Sequence, residues 1–201
     1  MRAGVLAFAL VVASSCGVLE SLRPGPTVAP LISAGFLTVR ITAGESGDGQ
    51  ERQRLPGLRD AIAGALPSAW DTATRGLGKL AIRTDSDIEV LLDGSNGTSA
   101  LTQHSRGGKV TSRSITVHTV DGSRRLTISE LMATTLHELG HIWCCFGPGT
   151  SGGHWTDPPA AFSAVGMMYS PMRCEVRAGS DPVCPSVFSD RELSAMGLAG
   201  Q

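Results

Sequence analysis

Leu37, Val39 and Ile41 alternate with Thr38, Arg40 and Thr42, the two-residue period of a strand with one buried face. A polar loop, Gly44 to Gln50, leads to Leu58, Ile62, Leu66 and Trp70, which recur every four residues and lay one apolar stripe along a helix. Pro67 stands inside that stripe, so the helix is expected to kink or split there. Short β-rich runs follow at Lys79 to Arg83, Ile88 to Leu92 and Ile115 to Val120, with a Gly/Ser-rich stretch between the last two. Thr127-Ile128-Ser129-Glu130 then has the spacing of a capping box, in which threonine hydroxyl and glutamate satisfy each other's free amides. It predicts a helix from about Ile128 to Cys144. Strand, helix and several further strands imply an α/β (α+β) sheet fold, with no internal repeat.

On the second helix Met132, Leu136, Leu139 and Trp143 fall on one side at about 100° per residue, while His137 and His141 lie well round from that stripe. Residues four apart are stacked one turn above the other, so both imidazoles can reach one metal ion. Glu138 projects beside them, where it can accept a proton from water. This His-Glu-x-x-His spacing is that of zinc metallopeptidases. A zinc site of the catalytic type also needs a third protein ligand and an open position.

His137-Glu138-Leu139-Gly140-His141, the run Val165-Gly166-Met167-Met168-Tyr169-Ser170-Pro171 and the stretch Phe188 to Leu198 together resemble the metzincins, the matrixins especially. In that family the zinc motif is followed by a methionine turn and a closing helix, and the likeness extends loosely over residues 36–201. It implies a mixed, mostly parallel twisted sheet, a long active-site helix and a small C-terminal subdomain with a closing helix. Cys144 stands where the family's motif has a glycine, and Gly147 where it has the third histidine. The resemblance therefore points to His154, in Gly152-Gly153-His154-Trp155-Thr156-Asp157, as third ligand, with residues 144–153 as an enlarged loop that returns it to the metal. Asp157 is the substitute ligand. Met168 followed by Tyr169 fits the matrixin turn, whereas Met167 would put Tyr169 in the astacin-like place, as a transition-state or structural group near the metal. The implied cofactor is one catalytic Zn2+; the resemblance leaves room for a structural Ca2+, which the sequence does not indicate. His104 and His118 are read as structural.

Such a site would hydrolyse peptide bonds with zinc-activated water and Glu138 as general base. By the same resemblance, an extended peptide or protein substrate would lie along an edge strand within about Thr98 to His104. A zinc-binding lipoprotein with a structural or binding role and no turnover is the alternative, and hydrolysis of non-peptide bonds is a third reading.

The chain's first apolar run, Ala3 to Ala13, follows Arg2, is too short to span a bilayer and ends in small residues, as an export signal does. Ala13-Ser14-Ser15-Cys16 resembles the lipobox of bacterial lipoproteins, with Ala13 in place of the usual leucine, which implies lipidation of Cys16. Residues 1–15 are thus expected to be a signal peptide, 16–35 a lipidated start and extended tether, and 36–201 the catalytic domain. The expected location is the extracytoplasmic face of a bacterial cell membrane, or, if Cys16 is not lipidated, secretion. In an oxidising compartment Cys144, Cys145, Cys174 and Cys184 are disulfide candidates. A bridge between the adjacent Cys144 and Cys145 would be strained, which favours pairing each with Cys174 or Cys184. A four-cysteine zinc site lacks any C-x-x-C pair.

Composition narrows the rest. Lys+Arg 17 against Asp+Glu 18 gives a net charge of −1, with basic residues scattered in small groups, so a nucleic-acid partner is not expected. Two hundred and one residues with 41% hydrophobic content suit a single globular domain, expected to be a monomer. Gly 25 and Pro 11, roughly 18% of the chain, predict a loop-rich fold short of disorder.

Overall fold

The computed structural model describes residues 36–106, 109–144, 150–151, 154–156, 166–168, 174 and 183–198. Alternating side chains build the strands β1 (Phe36–Ala43), β2 (Lys79–Ile82), β3 (Ile88–Asn96), β4 (Ala100–Arg106), β5 (Lys109–Asp121) and β6 (Arg124–Arg125). They form a six-stranded sheet in the order β2-β1-β3-β5-β4, with β6 paired to β5. Pairs β1–β2, β1–β3 and β3–β5 are parallel, while β4 and β6 run antiparallel to β5. The architecture is therefore mixed, with a mostly parallel sheet, as expected. Leu37, Val39, Val90, Leu92, Ile115 and Val117 point into the core and are almost wholly buried.

Helix α1 (Gly49–Ala73) starts where the Asp48 carboxylate accepts from the backbone N–H of Gln50 at 2.7 Å and of Glu51 at 3.1 Å. It lays Leu55, Leu58, Ile62, Leu66, Trp70 and Ala73 on the sheet. Contrary to the expectation from Pro67, the helix is not split: it runs through both Pro56 and Pro67 for 25 residues. An interior proline costs about 3 kcal/mol, but burying Ile62, Leu66 and Trp70 on either side of it returns about 1.5–3 kcal/mol each. The stripe overrides the proline.

Helix α2 (Ile128–Gly140) begins with the predicted capping box, Thr127 with Glu130. It stops sooner than predicted. Beyond Gly140 the backbone tightens to three-residue bonds, Ile142 N–H to Leu139 at 3.1 Å and Trp143 N–H to Gly140 at 3.1 Å, a common way to satisfy the last carbonyls. Trp143 is thereby set against Trp70, ring centroids 5.9 Å apart, and Trp70 in turn meets Phe188 edge-on at 5.7 Å. These aromatics tie α1, the end of α2 and the C-terminal segment into one core. That segment carries β7 (Thr150–Ser151) paired with β8 (His154–Trp155), and α3 (Asp190–Ala195), which lies within the predicted closing helix.

Cys174 is bonded to Cys184, S–S 2.03 Å. This corrects the expected pairing of Cys144 and Cys145 with those two residues: the Cα atoms of Cys174 and Cys184 lie 4.1 Å apart, so a short local loop closes on itself. Cys144 is itself disulfide-bonded, to a partner outside the described residues. No helix among the described residues is long and apolar enough to cross a membrane. The expected signal, Cys16 and the tether lie outside the described residues.

Candidate metal centre

The last turn of α2 faces β8 and the tight turn at residues 166–168. His137, His141 and His154 converge there, each offering a ring nitrogen, all within 4.8 Å of one another. Their rings pack with centroids 4.6 to 5.0 Å apart. The Nε2 atoms of His137 and His154 face each other at 2.9 Å. His137 Nδ1 donates to the backbone carbonyl of Met167 at 2.5 Å, which fixes the tautomer and turns its Nε2 toward the other two rings. Burial pushes the His137 imidazole down to about 4, beyond the opposing pull of the Met167 carbonyl and with a further push from His154. It is therefore neutral near pH 7, the form in which imidazole binds metals.

Two nitrogens on one tetrahedral metal at 2.0–2.1 Å are about 3.3 Å apart. The observed cluster is within reach of that spacing, and three imidazoles suit a borderline-soft divalent ion. The three histidines could therefore hold one metal ion.

Glu138, beside His137, is buried, and desolvation pushes its carboxyl up to about 7 against a hydrogen bond from the Leu101 backbone N–H. Leu101 belongs to β4, the edge strand. The carboxyl thus sits against the strand that ends the sheet among the described residues.

The turn at 166–168 is packed into the other side of α2. The Met168 sulfur lies directly against Gly140, so that a Cβ there would collide with it, while the Met167 carbonyl is the one that orients His137. Both methionines are fully buried. Met168 also accepts the Trp155 N–H on its carbonyl at 2.9 Å, tying β8 to the turn.

No protein-family model and no curated protein matches this chain.

The sequence singled out His137, Glu138, His141, His154 and Met168, and all five meet at this place. His104, exposed on β4, instead contacts Ser114 at 3.1 Å, and His118 on β5 contacts Ser95 at 3.2 Å, so neither joins the cluster. Asp157, Tyr169 and Cys145 lie outside the described residues. Sequence reasoning missed Glu192. Its wholly buried carboxylate accepts from Met168 N–H at 2.6 Å and from Ser189 N–H at 2.5 Å, with a further bond from the Met167 backbone. Ser189 and Glu192 form a second capping box, whose spacing was readable, but nothing local announced that the same carboxylate reaches the turn at 166–168. Burial raises the Glu192 carboxyl even against those three amides.

Proposed function

We propose that this chain is a zinc-dependent endopeptidase of metzincin, matrixin-like kind, lipid-anchored on the extracytoplasmic face of a bacterial membrane. The observation that carries the reading is the conjunction of three converging imidazoles with a buried carboxyl that touches the edge strand. A purely structural metal site has no need of Glu138. Three histidine ligands are the arrangement of catalytic zinc, which keeps one position open, whereas structural zinc is closed by four.

His137, His141 and His154 would hold the ion, which supplies Lewis acidity toward a carbonyl and lowers the pKa of water when bound. Glu138 takes the proton of the attacking water and passes it to the leaving amine, and its burial keeps that transfer away from bulk solvent. The place of β4 at the edge of the sheet, among the described residues, supports binding of an extended substrate by backbone pairing, which would carry the scissile bond past Glu138. The expected partners are thus peptides or proteins in extended form and, through Cys16, the membrane surface.

The test is cleavage of casein and of a peptide library by the purified domain. Activity should disappear with a chelator, and Glu138→Ala should lower kcat by about 100-fold or more while retaining zinc. Zinc content should fall in His154→Ala and hold in Asp157→Ala. Folded, zinc-loaded protein that cleaves no peptide would leave the binding lipoprotein as the better reading.

A further inference from the structure

α3 is only six residues long, yet two of its adjacent side chains grip the two pieces of chain that complete the histidine cluster. Glu192 holds the turn. Its carboxylate fills the space against Gly166, where a Cβ would collide with it, and it accepts from the backbone of both Met167 and Met168. The peptide so fixed presents the Met167 carbonyl that orients His137. Arg191 holds the other piece: its guanidinium carbon lies 3.4 Å from the centroid of the Trp155 ring. Trp155 adjoins His154, is itself buried, and is bonded through its backbone N–H to the Met168 carbonyl. The paths from His137 and His154 therefore meet on one turn of helix.

We propose that Arg191 and Glu192 are positioning residues of the metal centre, Glu192 acting through the 166–168 turn on His137 and Arg191 through Trp155 on His154. This rests on reading the three histidines as a metal site. Neither side chain is assigned contact with metal or substrate. Groups hydrogen-bonded directly to metal-binding histidines commonly change metal affinity by about 10- to 100-fold when removed, and Arg191 and Glu192 stand one contact further out. A planar guanidinium stacked on an indole also fixes the ring's tilt, which a flexible methylene chain does not.

The experiment titrates the metal-free full domain with Co2+ against a competing chelator, and records the visible ligand-field spectrum of each complex. Arg191→Met and Glu192→Gln should each weaken Co2+ binding by up to about 10-fold, the lower end of the range for direct partners, and alter the spectrum, and Arg191→Lys should recover part of the affinity. Thr127→Ala serves as control, because it loosens the far end of α2 without touching either path; it should bind Co2+ as the parent does. Should Glu192→Gln fail to fold, Arg191→Met, which alters an exposed residue, decides the matter. Parental affinity and spectrum in Arg191→Met would overturn the proposal, as would an equal loss in the Thr127→Ala control. A parent domain that binds no Co2+ would overturn the metal-site reading, and this inference with it.

Discussion

Gly140 lies between His137 and His141, and replacing it by alanine sets two effects of opposite sign against each other. In an open helix interior, glycine to alanine contributes about 0.8–1 kcal/mol of stability. Here a Cβ would run into the Met168 sulfur and stand 3.1 Å from Phe188 Cε1. Met168 and Phe188 are both 0% exposed, so neither has solvent to retreat into. Overpacking of a closed core costs about 1–3 kcal/mol. Gly140 is also the last helical residue, where the gain in helix propensity is smaller. Gly140→Ala should therefore be less stable than the parent, by up to about 2 kcal/mol. Gly64, in α1 with nothing within 4 Å of its Cβ position, supplies the comparison: Gly64→Ala should gain close to the full helix increment. Urea denaturation of both variants, compared at equal m-value, isolates the packing cost as the difference between them, about 1–3 kcal/mol. Combining Gly140→Ala with Met168→Ala should show coupling of at least about 0.5 kcal/mol, because removing the sulfur opens the space the new methyl needs. Equal stabilisation by the two alanines would refute the close approach of the turn to α2.

Thr127→Ala removes the hydroxyl that caps α2 and should lower stability by about 1 kcal/mol, read from the shift in urea midpoint at unchanged m-value. Glu130 sets a pH dependence: burial alone would raise its carboxyl, but Arg124 at 2.9 Å and the Thr127 amide and hydroxyl together hold it below its ordinary value of 4.5. A folded-state pKa below the unfolded one gives stability that is present above about pH 4.5 and is lost as pH falls through the folded value. Unfolding free energies measured from pH 6 down to 3 should thus fall more steeply for the parent than for Glu130→Gln, and parallel curves would remove Glu130 from the account.

Strands with one buried face were legible because their alternation is strict: β1, β3 and the second half of β5 lie where Leu37 to Ile41, Ile88 to Leu92 and Ile115 to Val120 predicted. The capping box located the start of α2 to the residue, since two side chains at fixed spacing serve one local purpose. β4 carried almost no signal of its own. Leu101 is its one large aliphatic residue, and an edge strand with a polar outer face reads as a loop; only the family resemblance indicated a strand near Thr98 to His104. Pro67 misled for a different reason: its local backbone cost is outweighed by tertiary burial on either side of it, which local sequence does not display. In the site, His137, Glu138 and His141 were readable from helical spacing. His154 needed the resemblance, since its approach depends on a loop rather than on a period. The orienting carbonyl of Met167 and the carboxylate of Glu192 were not readable, because contacts made across the fold by a backbone atom and a capping residue leave no periodic trace.

The partition of the histidine cluster between α2 and later stretches of the chain bears on when it can come together during synthesis. A chain synthesised from its first residue onward exposes β1, α1 and β3 before α2, and α2 before β8 and α3. Domains tend to fold as whole units rather than element by element, and parallel pairings such as β1–β3 and β3–β5 join distant segments. His137 and His141 therefore emerge as an incomplete pair, and the cluster closes only after the stretch from His154 through Glu192 has followed. Whatever chemistry the site performs is withheld from the nascent chain by the order of its sequence.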